Sequence, residues 1–369
     1  MSGFSLTPVL HHRPTPEPMP PTHPTTSPPH SRAVRLWLAV VALMVAATAL
    51  IGAATRLTGS GLSITEWAPI IGILPPLNEV DWQAAFAKYQ TIPQYTQLNR
   101  GMSLDAFKTI FWWEWGHRLI ARTIGLVFLI PFVVFLIRGA IPRPLIPRMV
   151  VLFALGGLQG AVGWYMVRSG LVDRVDVSQY RLALHLGLAV VIFALVVWTW
   201  LDLRPQRTPP LAAAHITPGQ KITASLLLGL AFLQILLGAL VAGLKAGRTF
   251  NTWPLMDGAL VPAGLFQLSP VYLNLFENAA TVQFNHRLAA YLLVATTLVH
   301  ALLLLRATTD PRIRHTANSL AALVLAQTAL GIWTLLAWTP LSLGLAHQAG
   351  ALAVLFAAVT HRHAIGRAL

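Results

Sequence analysis

Phe111-Trp112-Trp113-Glu114-Trp115-Gly116-His117-Arg118 stands at the mouth of a long apolar segment, and 169 residues later Thr281-Val282-Gln283-Phe284-Asn285-His286-Arg287-Leu288 opens another. In both copies a His-Arg pair sits where a helix enters an apolar span. Two further histidines, His185 and His347, lie at the mouths of later apolar runs, one for each copy. A helix needs about 20 apolar residues to cross a bilayer core. Outward from the two copies the chain holds eight such runs, roughly Val34–Thr55, His117–Arg138, Arg148–Arg168, Arg181–Trp200, Lys221–Leu244, Gln283–Arg306, His315–Ala337 and Leu341–Val359. The expected fold is an all-α integral membrane protein of eight transmembrane helices.

Composition agrees with that reading: of 369 residues 55% are hydrophobic and 10% charged. A net charge of +14 would suggest nucleic acid in a soluble protein, but here its placement matters more. With the N-terminus in the cytoplasm, the inner loops and tails hold Arg13, Arg32, Arg35, Arg138, Arg143, Arg148, Arg204, Arg207, Lys221, Arg306, Arg312, Arg314, Arg362 and Arg367, against Glu17, Asp202 and Asp310. This positive-inside bias puts both termini in the cytoplasm and makes the basic excess a matter of topology, so no nucleic-acid partner is expected. No cysteine is present, which excludes thiolate iron–sulfur clusters, thiolate haem ligands, covalent c-type haem and disulfides.

The two stretches anchor a repeat. Gln159 and Gly163 match Gln327 and Gly331, His185-Leu186-Gly187 matches His347-Gln348-Ala349, and the loop Arg56–Pro75, with Glu66-Trp67, has a shorter analogue in Arg248–Pro262. Four helices per half give both halves one orientation, hence two parallel-repeat four-helix bundles. The expected organisation is a disordered cytoplasmic tail over 1–33, an N-terminal half over 34–202, a cytoplasmic linker over 203–220, a C-terminal half over 221–360 and a short tail over 361–369. The Gln-x-x-x-Gly spacing recurs at Gln234 and Gly238, and its ordinary reading is tight helix packing at a small residue. In the first outer loop, Asn78–Gln90 has the spacing of an interfacial helix with Trp82, Phe86 and Tyr89 on one side.

Four histidines at one depth near the outer face call for specific partners, since intramembrane polar groups are costly and functional by default. Neutral imidazole suits a metal. One tetrahedral zinc would use all four at the repeat axis. A repeat more readily gives one site per half, His117 with His185 and His286 with His347, which suits axial ligation of haem. Arg118 and Arg287 are placed to neutralise haem propionates or to snorkel to the interface. The halves differ at one telling point: Glu114, three before His117, becomes Gln283 before His286, and Arg181, four before His185, becomes Leu343. Chemistry is therefore expected in the first half, with Glu114 beside its metal, and a structural or electron-supplying haem in the second.

Together, Thr55-Arg56-Leu57-Thr58-Gly59-Ser60-Gly61-Leu62-Ser63, Glu114-x-x-His117-Arg118, Tyr180-Arg181-Leu182-x-x-His185, Asn285-His286-Arg287 and His347-Gln348 resemble the haem A synthase family over about Arg35 to Val359. The resemblance implies conversion of haem O to haem A, in which the C8 methyl is hydroxylated twice and the gem-diol loses water to leave a formyl group. It places haem b on His286 and His347, and the substrate on His117 and His185 with Glu114 taking part. Members from Gram-positive bacteria carry a cysteine pair in the first outer loop; this chain resembles the cysteine-free proteobacterial and mitochondrial branch. Its short N-terminal tail favours a bacterial inner membrane, with the haem sites near the periplasmic face. Expected partners are the lipid bilayer, haem O with the haem O synthase that supplies it, and an electron donor the sequence does not identify; a homo-oligomer is left open. Two rival readings stand beside this one. The first is a bis-histidine dihaem electron carrier, with His286 and His300 fourteen apart on one helix face but His315 the sole matching inner histidine. The second is a haem transporter.

Overall fold

In the computed structural model, which describes residues 29–68, 71–172, 174–204 and 216–367, every long element is a helix. The elements are α1 (Pro29–Leu57), α2 (Glu79–Tyr89), α3 (Pro93–Gln97), α4 (Leu104–Ile137), α5 (Ile146–Arg168), α6 (Gln179–Asp202), α7 (Pro218–Gly243), α8 (Asn274–Glu277), α9 (Ala279–Ala307), α10 (Pro311–Leu336) and α11 (Leu341–Gly366). Eight of them, α1, α4, α5, α6, α7, α9, α10 and α11, are long and apolar enough to cross a membrane. All eight expected runs fall on them. Most of the tail over 1–33 and of the linker over 203–220 lies outside the described residues.

Membrane solvation explains the surface. Along α4, Leu126, Ile130, Val133 and Ile137 are exposed and share one stripe. An aqueous domain would bury such a stripe, whereas lipid tails solvate it. Inside, α1 packs on α4 and α6, α5 on α6 and α4, and likewise α7 on α9 and α11, α10 on α11 and α9. The two sets of four meet through α6 on α7, α1 on α11 and α6 on α11. Leu38, Val41, Phe128, Met149 and Val196 fill one core; Leu227, Leu320, Val324, Val354 and Ala358 fill another.

Two helix limits differ from the sequence reading. α4 begins at Leu104, thirteen residues before His117, with Ser103 as N-cap accepting from the Ala106 amide at 3.2 Å. Hydropathy misses this extension because Asp105, Lys108 and Glu114 interrupt it. Its other face carries Phe107 and Phe111, against which α2 lays Trp82, Phe86 and Tyr89. Ring centroids stand 5.0 Å apart for Phe86–Phe107 and for Trp82–Phe111. The apolar side of α2 thus packs on protein, at about 1.5–3 kcal/mol for each large ring fully buried. At the other limit, α11 continues to Gly366 rather than ending near Val359, so residues assigned to a tail, His361 among them, are helical and buried.

Candidate haem-ligand histidines

All four histidines are seated alike. A Cβ built on Gly52 of α1 would lie 2.7 Å from the His117 ring; on Gly163 of α5, 3.0 Å from His185; on Gly238 of α7, 3.4 Å from His286; on Gly331 of α10, 2.8 Å from His347. At Gly52 and Gly331 a side chain would collide with the ring, at Gly163 it would crowd it, and at Gly238 it would touch it. Each of these glycines stands five residues before the last residue of its helix, Leu57, Arg168, Gly243 or Leu336. At 1.5 Å per residue that is about 7.5 Å below the same end of each helix, so the four imidazoles share one depth. His117 and His185 are electrostatic neighbours, as are His286 and His347. Among the described residues no three His, Asp or Glu side chains converge as a metal cage.

The Gln-x-x-x-Gly spacing, read from sequence as packing alone, supplies a partner as well as a seat. The Gln159 amide nitrogen lies 3.1 Å from His185 Nδ1 and donates to the His185 carbonyl at 3.1 Å. Gln234 treats His286 the same way, at 3.2 and 3.1 Å, and Gln327 treats His347 at 3.0 and 2.8 Å. In α1 the matching position holds Thr48, whose hydroxyl donates to the Met44 carbonyl at 2.8 Å. His117 Nδ1 is buried without a hydrogen-bond partner.

Both arginines grip outer-loop backbone. Arg118 donates to the Ile64 carbonyl at 2.7 Å and the Glu66 carbonyl at 3.0 Å; Arg287 donates to Phe250 and Thr252 carbonyls, each at 2.9 Å. Arg118 also meets Glu114 at 2.6 Å. Glu114 is 2% exposed and accepts from the Ser63 hydroxyl and the Ile64 amide, both at 2.8 Å. Its counterpart Gln283 donates to the Phe250 carbonyl at 3.0 Å. The motif Thr55–Ser63 therefore closes over a buried carboxylate: Thr55 donates to the Trp113 carbonyl, Gly59 makes the turn with φ of 69°, and Arg56 pairs with Asp176 at 3.2 Å. Gln94 donates to the Gly59 carbonyl and accepts from Tyr89, whose phenol burial pushes up. Arg181 donates to the Tyr165 carbonyl at 2.7 Å and stacks over the Tyr165 ring.

The openings differ. Beside Arg118 a cavity of about 220 Å³ is lined by Thr65, Glu66, Trp67, Trp164 and Arg168. Beside Arg287 the comparable hollow holds about 40 Å³, against Pro254, Met256, Phe284 and Tyr291.

At the opposite end of the bundle the sequence reading is corrected. His300 does have a histidine partner, His361 of α11, with the two Nε2 atoms 2.9 Å apart and His361 Nδ1 2.9 Å from the Thr316 hydroxyl. The direct contact between the two nitrogens leaves no room for an iron between them. The expected signal, a second histidine facing His300, lay in His361-Arg362-His363, two residues past the assumed end of the last helix. Nearby, Asp202 gathers Arg148 at 2.5 Å, His363 at 2.9 Å and Arg367 at 3.3 Å, tying α5, α6 and α11 together.

Residues 35–359 match a protein family described as cytochrome oxidase assembly protein. The chain is similar to a haem A synthase of Parvibaculum lavamentivorans, 50% identical over 335 residues that cover 91% of this chain and 95% of that one. A haem A synthase of Azorhizobium caulinodans is 55% identical over 332 residues, covering 89% and 93%. One of a Bradyrhizobium species is 52% identical over 339 residues, covering 91% and 92%.

Proposed function

The chain belongs to the cytochrome oxidase assembly family and is an oxidoreductase converting haem O to haem A, and from that premise we propose how its two halves divide the reaction. Haem O is held in the first half by His117 and His185. A resident haem b is held in the second by His286 and His347. The glycine seats fit such a group: each of the four half-buried imidazoles rests its Cε1 edge on a glycine, at one depth. The observation that carries the division is the contrast between Glu114 and Gln283.

Bound haem b would supply one-electron redox chemistry. The chain's own residues do the rest. His117 and His185 fix the porphyrin near the outer end, where the larger cavity gives the substrate edge room. Arg118 and Arg168 line that cavity and offer positive charge to carboxylates. Arg287 does the same in the second half while holding the loop Phe250–Thr252. Glu114 has both oxygens engaged by three donors, so it acts as a fixed negative charge and not as a free base. Placed three residues from His117, it stabilises positive charge developing at the C8 carbon during each of two hydroxylations. Loss of water from the resulting gem-diol needs no further group.

Both termini are placed in the cytoplasm and the loops Arg56–Gly116 and Lys245–Val282 outside, from the distribution of Arg and Lys. The division at residues 203–220 into two four-helix halves, supply of haem O by its synthase, and electrons from a separate donor belong to the same proposal. Reporter fusions at Ala140 and Ala263 should report opposite compartments; the same compartment for both overturns the topology.

The test of activity is expression in cells that make haem O but no haem A, followed by pigment extraction and mass analysis. Haem A is the expected product. Haem O co-purifying unchanged under aerobic, reducing conditions would point to the transporter reading instead.

A further inference from the structure

Three carboxamides repeat one geometry around three of the four histidines, and the fourth histidine lacks it. In each case the Gln amide nitrogen bridges the backbone carbonyl and the ring of one histidine. In each case the Gln oxygen, Oε1 of Gln159, Gln234 and Gln327, is buried with no partner. A carbonyl only accepts, so its contact fixes which end of the amide is nitrogen. That nitrogen then faces a ring nitrogen able to accept. An imidazole bound to iron through Nε2 has the opposite need, because its Nδ1–H must donate. The orphan oxygen adjoining the same amide is the acceptor for that proton. A roll of the carboxamide brings Oε1 to Nδ1–H while the nitrogen stays on the histidine carbonyl, and both unsatisfied atoms find partners.

We infer that Gln159, Gln234 and Gln327 are positioning residues that lock His185, His286 and His347 as iron ligands, and that Thr48, standing where a fourth Gln would be, leaves His117 the ligand free to exchange. The inference rests on the histidine roles proposed above. It gives the division of labour a physical cause. Both ligands of the second half are locked, as suits a group that stays through every turnover. The first half has one locked ligand and one loose one, as suits a porphyrin that must arrive and leave. The loose ring is pressed on Gly52 with its Nδ1 unpartnered, and Thr48 offers it only backbone, with no carboxamide to clamp it.

The test uses purified full-length protein carrying haem b, with Gln234 and Gln327 each changed to Leu and to Glu. Leu removes the acceptor and makes the imidazole a poorer donor, so the haem b midpoint potential should rise. Glu offers a stronger acceptor, so the potential should fall below that of the unaltered protein. Transfer of haem b to excess apomyoglobin should accelerate about 10- to 100-fold in the Leu variants and not in the Glu variants. A packing role alone predicts no opposition between Leu and Glu, because both conserve volume; shifts of the same sign, or none, overturn the inference. Thr48→Gln should lock His117, so that the first half keeps its porphyrin through purification and releases haem A about 10-fold more slowly. Unchanged release from a folded Thr48→Gln protein overturns that part. If Thr48→Gln fails to fold, Gln159→Leu carries the first-half test: faster loss of the bound porphyrin is expected, and an unchanged rate contradicts the lock. His286→Ala separates the two levels: if it retains haem b, the histidine assignment fails and not the role of the glutamines.

Discussion

Around His117 the protein builds with charge, and around His286 it builds the same shape with amides. Arg118 and Arg287 bind equivalent pairs of loop carbonyls, Ile64 with Glu66 and Phe250 with Thr252. Only beside Arg118 does a buried carboxylate complete the arrangement. The amide version shows that the scaffold does not need an acid to hold its outer loop. The acid in the first half is therefore an addition, bought at a desolvation cost that Arg118, Ser63 and the Ile64 amide offset. The cavity beside Arg118 is also several times larger than its counterpart. The first half thus adds a buried acid and a larger hollow beside its arginine.

The largest effect that would sharpen this contrast is in stability. Arg118→Ala leaves Glu114 buried without its cation and should cost about 3–5 kcal/mol. Arg287→Ala loses bonds to neutral carbonyls and should cost about 1–3 kcal/mol. Thermal unfolding in detergent measures both, and equal losses would break the comparison. Next is turnover. Glu114→Gln should fold, as Gln283 does in place, and keep haem b, while haem A formation falls about 10²-fold for the loss of one electrostatic stabiliser. Gln283→Glu should leave the rate at its original level, with the new carboxylate meeting Arg287. Product analysis of Glu114→Gln should show the singly hydroxylated haem accumulating; unchanged haem A formation would reduce Glu114 to a partner of Arg118. The smallest effect is at Ser63. Ser63→Ala removes one of three donors to Glu114 and should cost about 1 kcal/mol, read as a lowered midpoint of the same thermal transition.

The membrane spans were legible because a bilayer demands long apolar runs, and all eight were found. So was the pairing of motifs, since His117-Arg118 and His286-Arg287 survive as strings. What was not legible depends on which helix faces which. Gln159, Gln234 and Gln327 were visible at one spacing from glycine, but their partners lie 26, 52 and 20 residues away, on other helices. Nothing in the spacing of one helix names the ring pressed on its neighbour. The first thirteen residues of α4 were hidden for another reason: charges at Asp105 and Lys108 lower hydropathy where the helix meets α2. His361 falls in the expected tail over 361–369, yet α11 runs on to Gly366 and Asp202 holds His363 in the bundle.

The central claim is that the two histidine pairs hold different porphyrins. It is tested most directly by the reduced-minus-oxidised spectrum of purified single variants. His286→Ala and His347→Ala should lose the low-spin haem b signal, because one axial bond of that site is gone. His117→Ala and His185→Ala should keep that signal while making no haem A. Loss of haem b from the first-half variants, with retention in the second-half ones, would contradict the account and reverse the halves.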